Sequence, residues 1–273
     1  MEKNVLLTIA YDGSGFSGWQ RQKGLRTAQG EIERVLSLLC NQEISVDGTS
    51  RTDAGVHALD QHASFKGDFS IPVENIPRAA NDLLAAGLYT EMEKGYKGKS
   101  ADIRILEAKE VPMDFHARFN SKGKMYRYLI DTSEECDLFS RNTAYNLGQA
   151  LDIEAMNEAC KYIIGTHDFK AFEAAGSTPR ESTVRTIYGL RVFPLGNSGL
   201  IAVEVKGDGF LYNMVRIMVG TLVDVGLGKR SAEELPDILE SLDRTKAGPT
   251  APAEGLYLAK VYYEEEDLKT WKE

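Results

Sequence analysis

The chain has 273 residues, of which 42% are hydrophobic and 27% charged, a composition typical of a globular protein with a substantial core. Lysine and arginine total 32 against 41 aspartates and glutamates, so the net charge of −9 gives no global sign of a nucleic-acid partner, and any basic surface must be local. No apolar run is long enough to span a membrane and the N-terminus lacks a signal-peptide pattern, which predicts a soluble, cytoplasmic protein without a membrane partner.

Cysteine and histidine spacing gives no sign of a metal centre or a disulfide. The three cysteines are an odd number with no Cys-x-x-Cys pair, and Cys40 and Cys160 each lie in an apolar segment with helical periodicity. The four histidines form no His-Glu-x-x-His motif and no cluster with zinc-ligand spacing. The sequence therefore predicts reduced core thiols and no metal site.

The first half of the chain predicts the element order β-α-β-β-α-β. Apolar runs indicate four extended segments, and apolar residues at i, i+3, i+4 and i+7 indicate helices. In chain order the elements are a strand at 5–11, a helix at 30–40, extended runs at 43–50 and 60–67, a helix at 72–87 and a strand at 102–111. The second helix has proline at its start, which suits a first helical turn.

The second half repeats this order. Its predicted elements are a strand at 124–132, a helix at 153–165, strands at 184–193 and 200–207, a helix from about 209 to 225 and a strand at 255–263. Between the halves, the segment DFHARF (114–119) alternates apolar and polar residues, as a strand with one apolar face would. The repeat is one of topology, because the halves share little similarity at the residue level.

The repeated order predicts an α+β protein. Each half matches the split β-α-β, ferredoxin-like arrangement, in which two helices cover one face of an antiparallel sheet. We expect an N-terminal half at 1–110 and a C-terminal half at 111–273. The uncovered sheet faces would then line a cleft between the halves, a common place for a ligand. The alternative, in which both sheets pack into one common core, stays open.

The glycine-rich stretch GSGFSG (13–18) satisfies the dinucleotide-binding pattern G-x-G-x-x-G directly after a strand. In that motif the third glycine lies in the first turn of a helix whose N-terminus faces the pyrophosphate. Here helical periodicity begins only after Thr27, and the predicted β-β pairing conflicts with a parallel sheet. A nucleotide-cofactor enzyme that uses this loop is therefore the weaker of two rival functions.

The stretch SRTDAGVHA (50–58) places an Arg-Thr-Asp turn between two predicted strands. Aspartate and glycine are common in turns, because aspartate bonds its own backbone and glycine tolerates positive φ. The local pattern alone therefore predicts an ordinary loop.

Six short motifs spread over the chain stand in register with those of one enzyme family. They are YDGSGFSGWQRQ, SRTDAGVHA, VPMDFHARF, KMYRYLI, NMVRIMVGTL and AEGLYL, and together they resemble tRNA pseudouridine synthase A from about residue 5 to residue 263. The resemblance implies two ferredoxin-like halves with an RNA-binding cleft between them. It also implies a homodimer without cofactor that isomerises uridine to pseudouridine in the anticodon arm of tRNA, at positions 38 to 40.

By this resemblance Asp53 is the nucleophile of the reaction. A carboxylate can attack either C6 of the uracil or C1′ of the ribose, and the sequence leaves both open. A carboxylate beside a base needs a cation to stay ionised, and by resemblance that cation is Arg216. On its predicted helix, Arg216 shares a face with Asn213 and Gly220 away from the apolar stripe, so a snorkelling surface arginine is the alternative.

Two further matches concern the target base itself. Arg51 matches the family arginine that helps to extract the base and takes its place in the stack, and the alternative is a solvated loop arginine. Tyr126 matches the tyrosine that stacks on the flipped uracil. Strand alternation puts Tyr126 and Tyr128 on one face, so one of the two is expected to be a core aromatic residue.

The remaining matches concern contacts with the body of the tRNA. By resemblance Arg118 touches the RNA backbone, and its neighbours Phe115 and His116 are counted with it as candidate substrate-binding residues. Arg78 stands at a looser match to another RNA-contact position.

Two positions depart from the family pattern. Glu173 stands where a more basic residue is expected, in a loop (173–185) that approaches the tRNA in the family, so the contacts of that loop are in doubt. Ser50 replaces the glycine that usually precedes Arg-Thr-Asp, which predicts a modest shift of the loop backbone. A second rival function is an RNA-binding module or chaperone that kept the fold without the chemistry. The presence of Asp53, Arg216 and Tyr126 together favours the isomerase.

Overall fold

The computed structural model describes residues 1–87, 101–135, 137–176, 181–196 and 199–271. The chain has a mixed α+β fold that divides into two compact units, Met1–Ser121 with Leu258–Val261 and Lys122–Tyr257 with Tyr262–Glu273. Within the described residues, no helix is both long and apolar enough to span a bilayer. In the same ranges, no three side chains of histidine, cysteine, aspartate or glutamate gather as a metal site would require.

Unit 1 contains an antiparallel sheet with helices packed against it. Its elements are β1 (Lys3–Tyr11), α1 (Ala28–Cys40), β2 (Asp47–Gly48), β3 (His57–Gly67), α2 (Ile76–Gly87), β4 (Ile103–Val111) and a short helix α3 (Ala117–Asn120). β1 pairs with β3 on one side and β4 on the other, and β2 pairs with β3, all antiparallel. α2 packs on α1 and β4, which closes the core on one face of the sheet.

The core of unit 1 follows from strand alternation and helical periodicity. Val5, Leu7 and Ile9 are fully buried at alternate positions of β1, and the apolar face of α1 is buried as well. Thr27 caps α1, since its Oγ1 accepts a hydrogen bond from Gly30 N at 3.2 Å. The prediction that helical periodicity begins only after Thr27 is confirmed, because the first α-helix starts at Ala28.

Unit 2 repeats the combination of an antiparallel sheet and helices. Its elements are β5 (Gly123–Asp131), β6 (Tyr145–Asn146), α4 (Ile153–Ile163), β7 (Gly165–Asp168), β8 (Val184–Pro194), β9 (Leu200–Gly207), α5 (Met214–Gly226), α6 (Leu235–Ser241), β10 (Leu256–Tyr262) and α7 (Glu265–Lys269). The strand order is β5-β9-β8-β7 with antiparallel pairing, and β6 lies parallel to β5. Of β10, only Leu256, Tyr257 and Tyr262 belong to unit 2, because Leu258–Val261 are part of unit 1.

Buried sulfur groups lie where the helical periodicity predicted them. Cys40 and Cys160 are buried free thiols. Burial raises the pKa of both thiols, to about 12 for Cys160, so neither is a reactive thiolate at neutral pH. Cys136, the third cysteine, lies outside the described residues.

The segment DFHARF is not the strand that its alternating pattern indicated. Residues Ala117–Asn120 form the short helix α3. His116 caps this helix, because its Nδ1 accepts a hydrogen bond from Arg118 N at 3.1 Å, and Asn120 Oδ1 accepts one from His116 N at 2.8 Å. These local side-chain bonds outweigh the alternation, and they leave Phe119 76% exposed.

The helix expected from about residue 209 begins later, at Met214. Asn213 adopts a left-handed backbone conformation with φ 57°, which ends the preceding loop and fixes the start of the helix. The short elements β6, β7, α6 and α7 were not predicted, because none is long enough to show a clear period.

Candidate active site

The Arg-Thr-Asp turn lies in unit 1, between β2 and the start of β3. Val56 N donates to Asp53 O at 3.1 Å, which closes the turn, and Gly55 takes φ 79° within it. Arg51 is exposed, Thr52 is buried and Asp53 is partly buried. The turn therefore points Thr52 inward and leaves Arg51, and part of Asp53, accessible at the surface.

Thr52 anchors this turn through both its side chain and its backbone. The Thr52 Oγ1 and Tyr11 Oη hydroxyls share a hydrogen bond of 2.7 Å, and Trp19 N donates to Thr52 O at 3.0 Å. The rings of Tyr11 and Trp19 stack with centroids 6.1 Å apart. Thr52 is thus held by two hydrogen bonds. Because Asp53 directly follows Thr52, the backbone position of Asp53 is closely defined.

Gly13 and Gly18 of GSGFSG allow two backbone segments to approach each other closely. A Cβ on Gly13 would lie 2.1 Å from Val56 O, and a Cβ on Gly18 would lie 2.7 Å from Thr52 O. Gly18 also has φ 86°, which favours glycine. Gly13–Gly15 form one 3₁₀ turn and no α-helix begins before Ala28, so the loop lacks the helix N-terminus of a dinucleotide site.

His57 is a residue of this region that the sequence reading did not single out. It is 2% exposed, and its Nδ1 accepts a hydrogen bond from Gly13 N at 3.0 Å while lying 3.2 Å from Asp12 Oδ1. Burial acts to raise the pKa of Asp12, but hydrogen bonds from Ser14, together with the nearby imidazole of His57, lower that pKa overall. His57 thus joins the end of the Asp53 turn to the glycine loop. The sequence contains one weak signal of this role, which is the position of His57 shortly before the strand predicted at 60–67.

Ser50 takes part in the turn through its backbone. Ser50 N donates to Gln61 Oε1 at 3.2 Å, and Gln61 Nε2 donates to Ser50 O at 2.7 Å. Gln61 is fully buried, so its amide holds the partly buried backbone of Ser50 from the inside of the protein. The loop shift expected from a serine at this position stays a prediction.

The segment around α3 joins the strand that leads into the turn. Thr49 Oγ1 donates to Ala117 O at 3.3 Å, and Ala117 N donates to Ser64 Oγ at 3.0 Å. Arg118 on this segment is exposed, whereas Phe115 and His116 are partly buried. These three candidate residues therefore lie on a segment that is hydrogen-bonded to Thr49, two positions before Arg51 in the chain.

His116 and Arg78 occupy different surroundings in unit 1. His116 Nε2 lies 3.6 Å from Asp47 Oδ2, and the His116 ring lies 4.3 Å from that of Phe119. Arg78 is exposed on α2, the helix that packs on α1 and β4. An exposed arginine on a helix is available to bind a polyanion.

In unit 2, Tyr126 and Tyr128 lie on one face of β5, as predicted. Tyr128 is the core residue of the pair, fully buried with its hydroxyl donating to Pro252 O at 2.7 Å, and burial raises its pKa. Tyr126 is 7% exposed and meets the edge of Phe210, with ring centroids 5.1 Å apart at 86°. An edge-to-face contact fixes the plane of the Tyr126 ring.

Arg216 is bonded within unit 2 and is not a snorkelling surface arginine. Its Nε donates to Ala251 O at 2.6 Å, its Nη1 donates to Asn213 Oδ1 at 2.9 Å, and its backbone O accepts from Ala251 N at 3.1 Å. A Cβ on Gly220 would lie 1.8 Å from Pro249 O, so this glycine lets the segment that carries Ala251 lie against α5. Asn213, at the start of α5, and Ala251, on the neighbouring segment, therefore fix the guanidinium together.

Glu173 is 6% exposed and forms an ion pair with Lys170, whose Nζ lies 2.7 Å from Glu173 Oε2. A buried, paired carboxylate does not present its charge at the surface. The loop that follows includes residues 177–180, which lie outside the described residues, so its contacts with RNA stay a prediction.

Comparison with known proteins agrees with the motifs. A family model described as tRNA pseudouridine synthase matches residues 159–264. The chain is similar to proteins named tRNA pseudouridine synthase A from Ruminiclostridium cellulolyticum and Acetivibrio thermocellus, each 46% identical over 261 residues that cover 96% of this chain and 100% of the relative. It is also 44% identical over 265 residues to tRNA pseudouridine synthase A 2 of Clostridium tetani, with the same coverage. With this identity over the full length of its relatives, the chain belongs to the tRNA pseudouridine synthase family.

Proposed function

We propose that the protein isomerises uridine to pseudouridine in the anticodon arm of tRNA, at positions 38 to 40. The observation that carries the proposal is Asp53 on a turn whose preceding residue, Thr52, is bonded to both Tyr11 and Trp19. Relatives named tRNA pseudouridine synthase A, 46% identical over 96% of the chain, support the same activity. A carboxylate held in this way is suited to nucleophilic attack, since its placement costs little ordering in the reaction.

The reaction breaks the bond between C1′ and uracil N1, joins C1′ to C5, releases the C5 hydrogen as a proton and adds a proton from water at N1. Asp53 is proposed as the nucleophile that holds one fragment while the base rotates, by attack at C6 or at C1′. The product has the same atoms as the substrate, so no redox cofactor is required. Arg216 is proposed as the cation that keeps the nucleophile ionised, a role that its two fixed donor bonds support.

Base flipping is proposed as the step that gives the carboxylate access to its target. Arg51 is exposed two positions before Asp53 and would occupy the place that the base leaves in the stack. Tyr126 would stack on the extruded uracil, because a π face holds a ring without fixing its rotation. Arg118, Phe115, His116 and Arg78 would bind the RNA body, and exposed arginines suit phosphates.

Several coarser features of the family accompany this function. We propose that each half is ferredoxin-like, which the antiparallel order β4-β1-β3-β2 in unit 1 supports. The functional halves 1–110 and 111–273, a homodimer and a cytoplasmic location alongside tRNA are further parts of the proposal.

Tritium release tests the function directly. A tRNA transcript carrying tritium at C5 of its uridines is incubated with the protein without added nucleotide, metal or donor, and tritium in water is counted. We expect release from the anticodon arm, and loss of release when the uridines at positions 38 to 40 are replaced by cytidine. Filter retention of the same samples measures binding. Retained RNA without release would identify an RNA-binding module instead.

A further inference from the structure

We propose that Asn213 is a positioning residue that aims the guanidinium of Arg216. The inference rests on the proposed function, in which Arg216 accompanies the nucleophile. Asn213 Oδ1 accepts a hydrogen bond from Arg216 Nη1 at 2.9 Å, and Ala251 O accepts one from Arg216 Nε at 2.6 Å. When two different nitrogens of a planar guanidinium donate to two fixed acceptors, the plane and the direction of that group are defined.

The side chain of Asn213 does not cap the helix that follows it. Asn213 is the N-cap residue of α5, where an asparagine side chain usually accepts a bond from the first backbone N–H groups, yet it makes no such bond here. Its side chain is bonded to Arg216 instead. The side chain therefore serves the arginine at the expense of the helix terminus.

The backbone of Asn213 makes this arrangement possible. Its φ of 57° is left-handed, a conformation that asparagine and glycine tolerate better than other residues. Ile217 N donates to Asn213 O at 3.0 Å, so the backbone still takes part in the helix. Glycine at this position would keep the backbone bond and its conformation and remove only the side-chain acceptor.

The substitution Asn213→Gly separates positioning from stability. We expect kcat for tritium release to fall about tenfold, with the tRNA dissociation constant and Tm close to those of the wild type. Asn213→Ala should lower kcat to the same extent and also lower Tm, because alanine is strained at positive φ. The matched control is Asn41→Gly, at an exposed left-handed C-cap with φ 52°, which should leave kcat unchanged.

The outcomes separate this inference from the function on which it rests. Wild-type kcat in Asn213→Gly, with tritium release by the wild-type protein, would overturn the positioning role alone. A fall in kcat matched by a large fall in Tm in the same variant would also overturn it, since the side chain would then be structural. If wild-type protein that binds the tRNA releases no tritium, the proposed function fails and the inference fails with it.

Discussion

At the scale of single residues, the chemistry proposed for this protein depends on one carboxylate. Asp53 differs from the many other acidic residues of the chain in its surroundings rather than its type. Its neighbour Thr52 is buried and bonded through side chain and backbone, and a closing turn bond follows at Val56. An exposed aspartate without such support would have to be ordered in every catalytic cycle.

The substitution Asp53→Asn tests this residue. The amide keeps the shape of the side chain and removes the nucleophile, so we expect pseudouridine formation to fall by about 10⁴-fold or more while tRNA binding changes little. Tritium release and filter binding measure the two effects. Asp237→Asn, at an exposed position on α6, is the matched control and should behave as the wild type. Substantial turnover by Asp53→Asn would remove this residue from the role.

At the scale of elements, the two loops of the candidate site are interlocked by close backbone approach. Gly13 lies against the carbonyl of Val56 and Gly18 against that of Thr52. The pattern G-x-G-x-x-G is typical of glycines that face a phosphate, and the late start of helical periodicity already disfavoured that interpretation. The structure shows glycines that face a neighbouring loop, a contact that depends on tertiary structure and that no local pattern contains.

Two glycines with similar positive φ allow the effect of a close contact to be measured separately from the effect of backbone strain. Gly18 has φ 86° and a Cβ there would meet Thr52 O at 2.7 Å, whereas Gly24 has φ 76° and no heavy atom within 4 Å of a Cβ. We expect Gly24→Ala to cost about 1 kcal/mol through backbone strain, and Gly18→Ala to cost about 1–3 kcal/mol more. Thermal unfolding measures both, and kcat should fall only in Gly18→Ala. Equal effects at the two positions would contradict the importance of this contact.

The long elements were predictable because their periods are clear, and the short ones were not. β1 is a largely apolar run of nine residues, and α1 buries i, i+3 and i+4 positions over 13 residues, which is enough to identify them. The segment DFHARF shows the limit of prediction from periodicity. Its six residues alternate as a strand would, but hydrogen bonds from the local backbone to His116 and Asn120 stabilise a helical turn instead. His57 was missed for a similar reason, because its contact with Gly13 joins residues that are 44 positions apart. The sequence placed Asn213 on one helical face with Arg216, but only the structure shows the hydrogen bond between them.

At the scale of the whole molecule, the net charge of −9 opposes the binding of a polyanion. Candidate RNA-contact residues are nevertheless exposed arginines, at Arg51, Arg78 and Arg118. Two buried glutamates are neutralised by ion pairs within the protein. Glu173 pairs with Lys170, and Glu204 pairs with two arginines of neighbouring strands. Local positive charge can therefore coexist with an acidic total.

The salt dependence of tRNA binding tests that local charge. Phosphate contacts release counterions, so log Kd should rise linearly with log salt, with a slope near 0.7–0.9 per contact. Arg118→Ala and Arg78→Ala should each weaken binding for all tRNAs alike and reduce the slope by about one. The control Lys161→Ala removes an exposed cation of α4 that is paired with Glu158, and should leave the slope unchanged. A dissociation constant independent of salt would show that RNA is not held through its phosphates, whereas an unchanged slope in Arg78→Ala alone would remove only that residue from the interface.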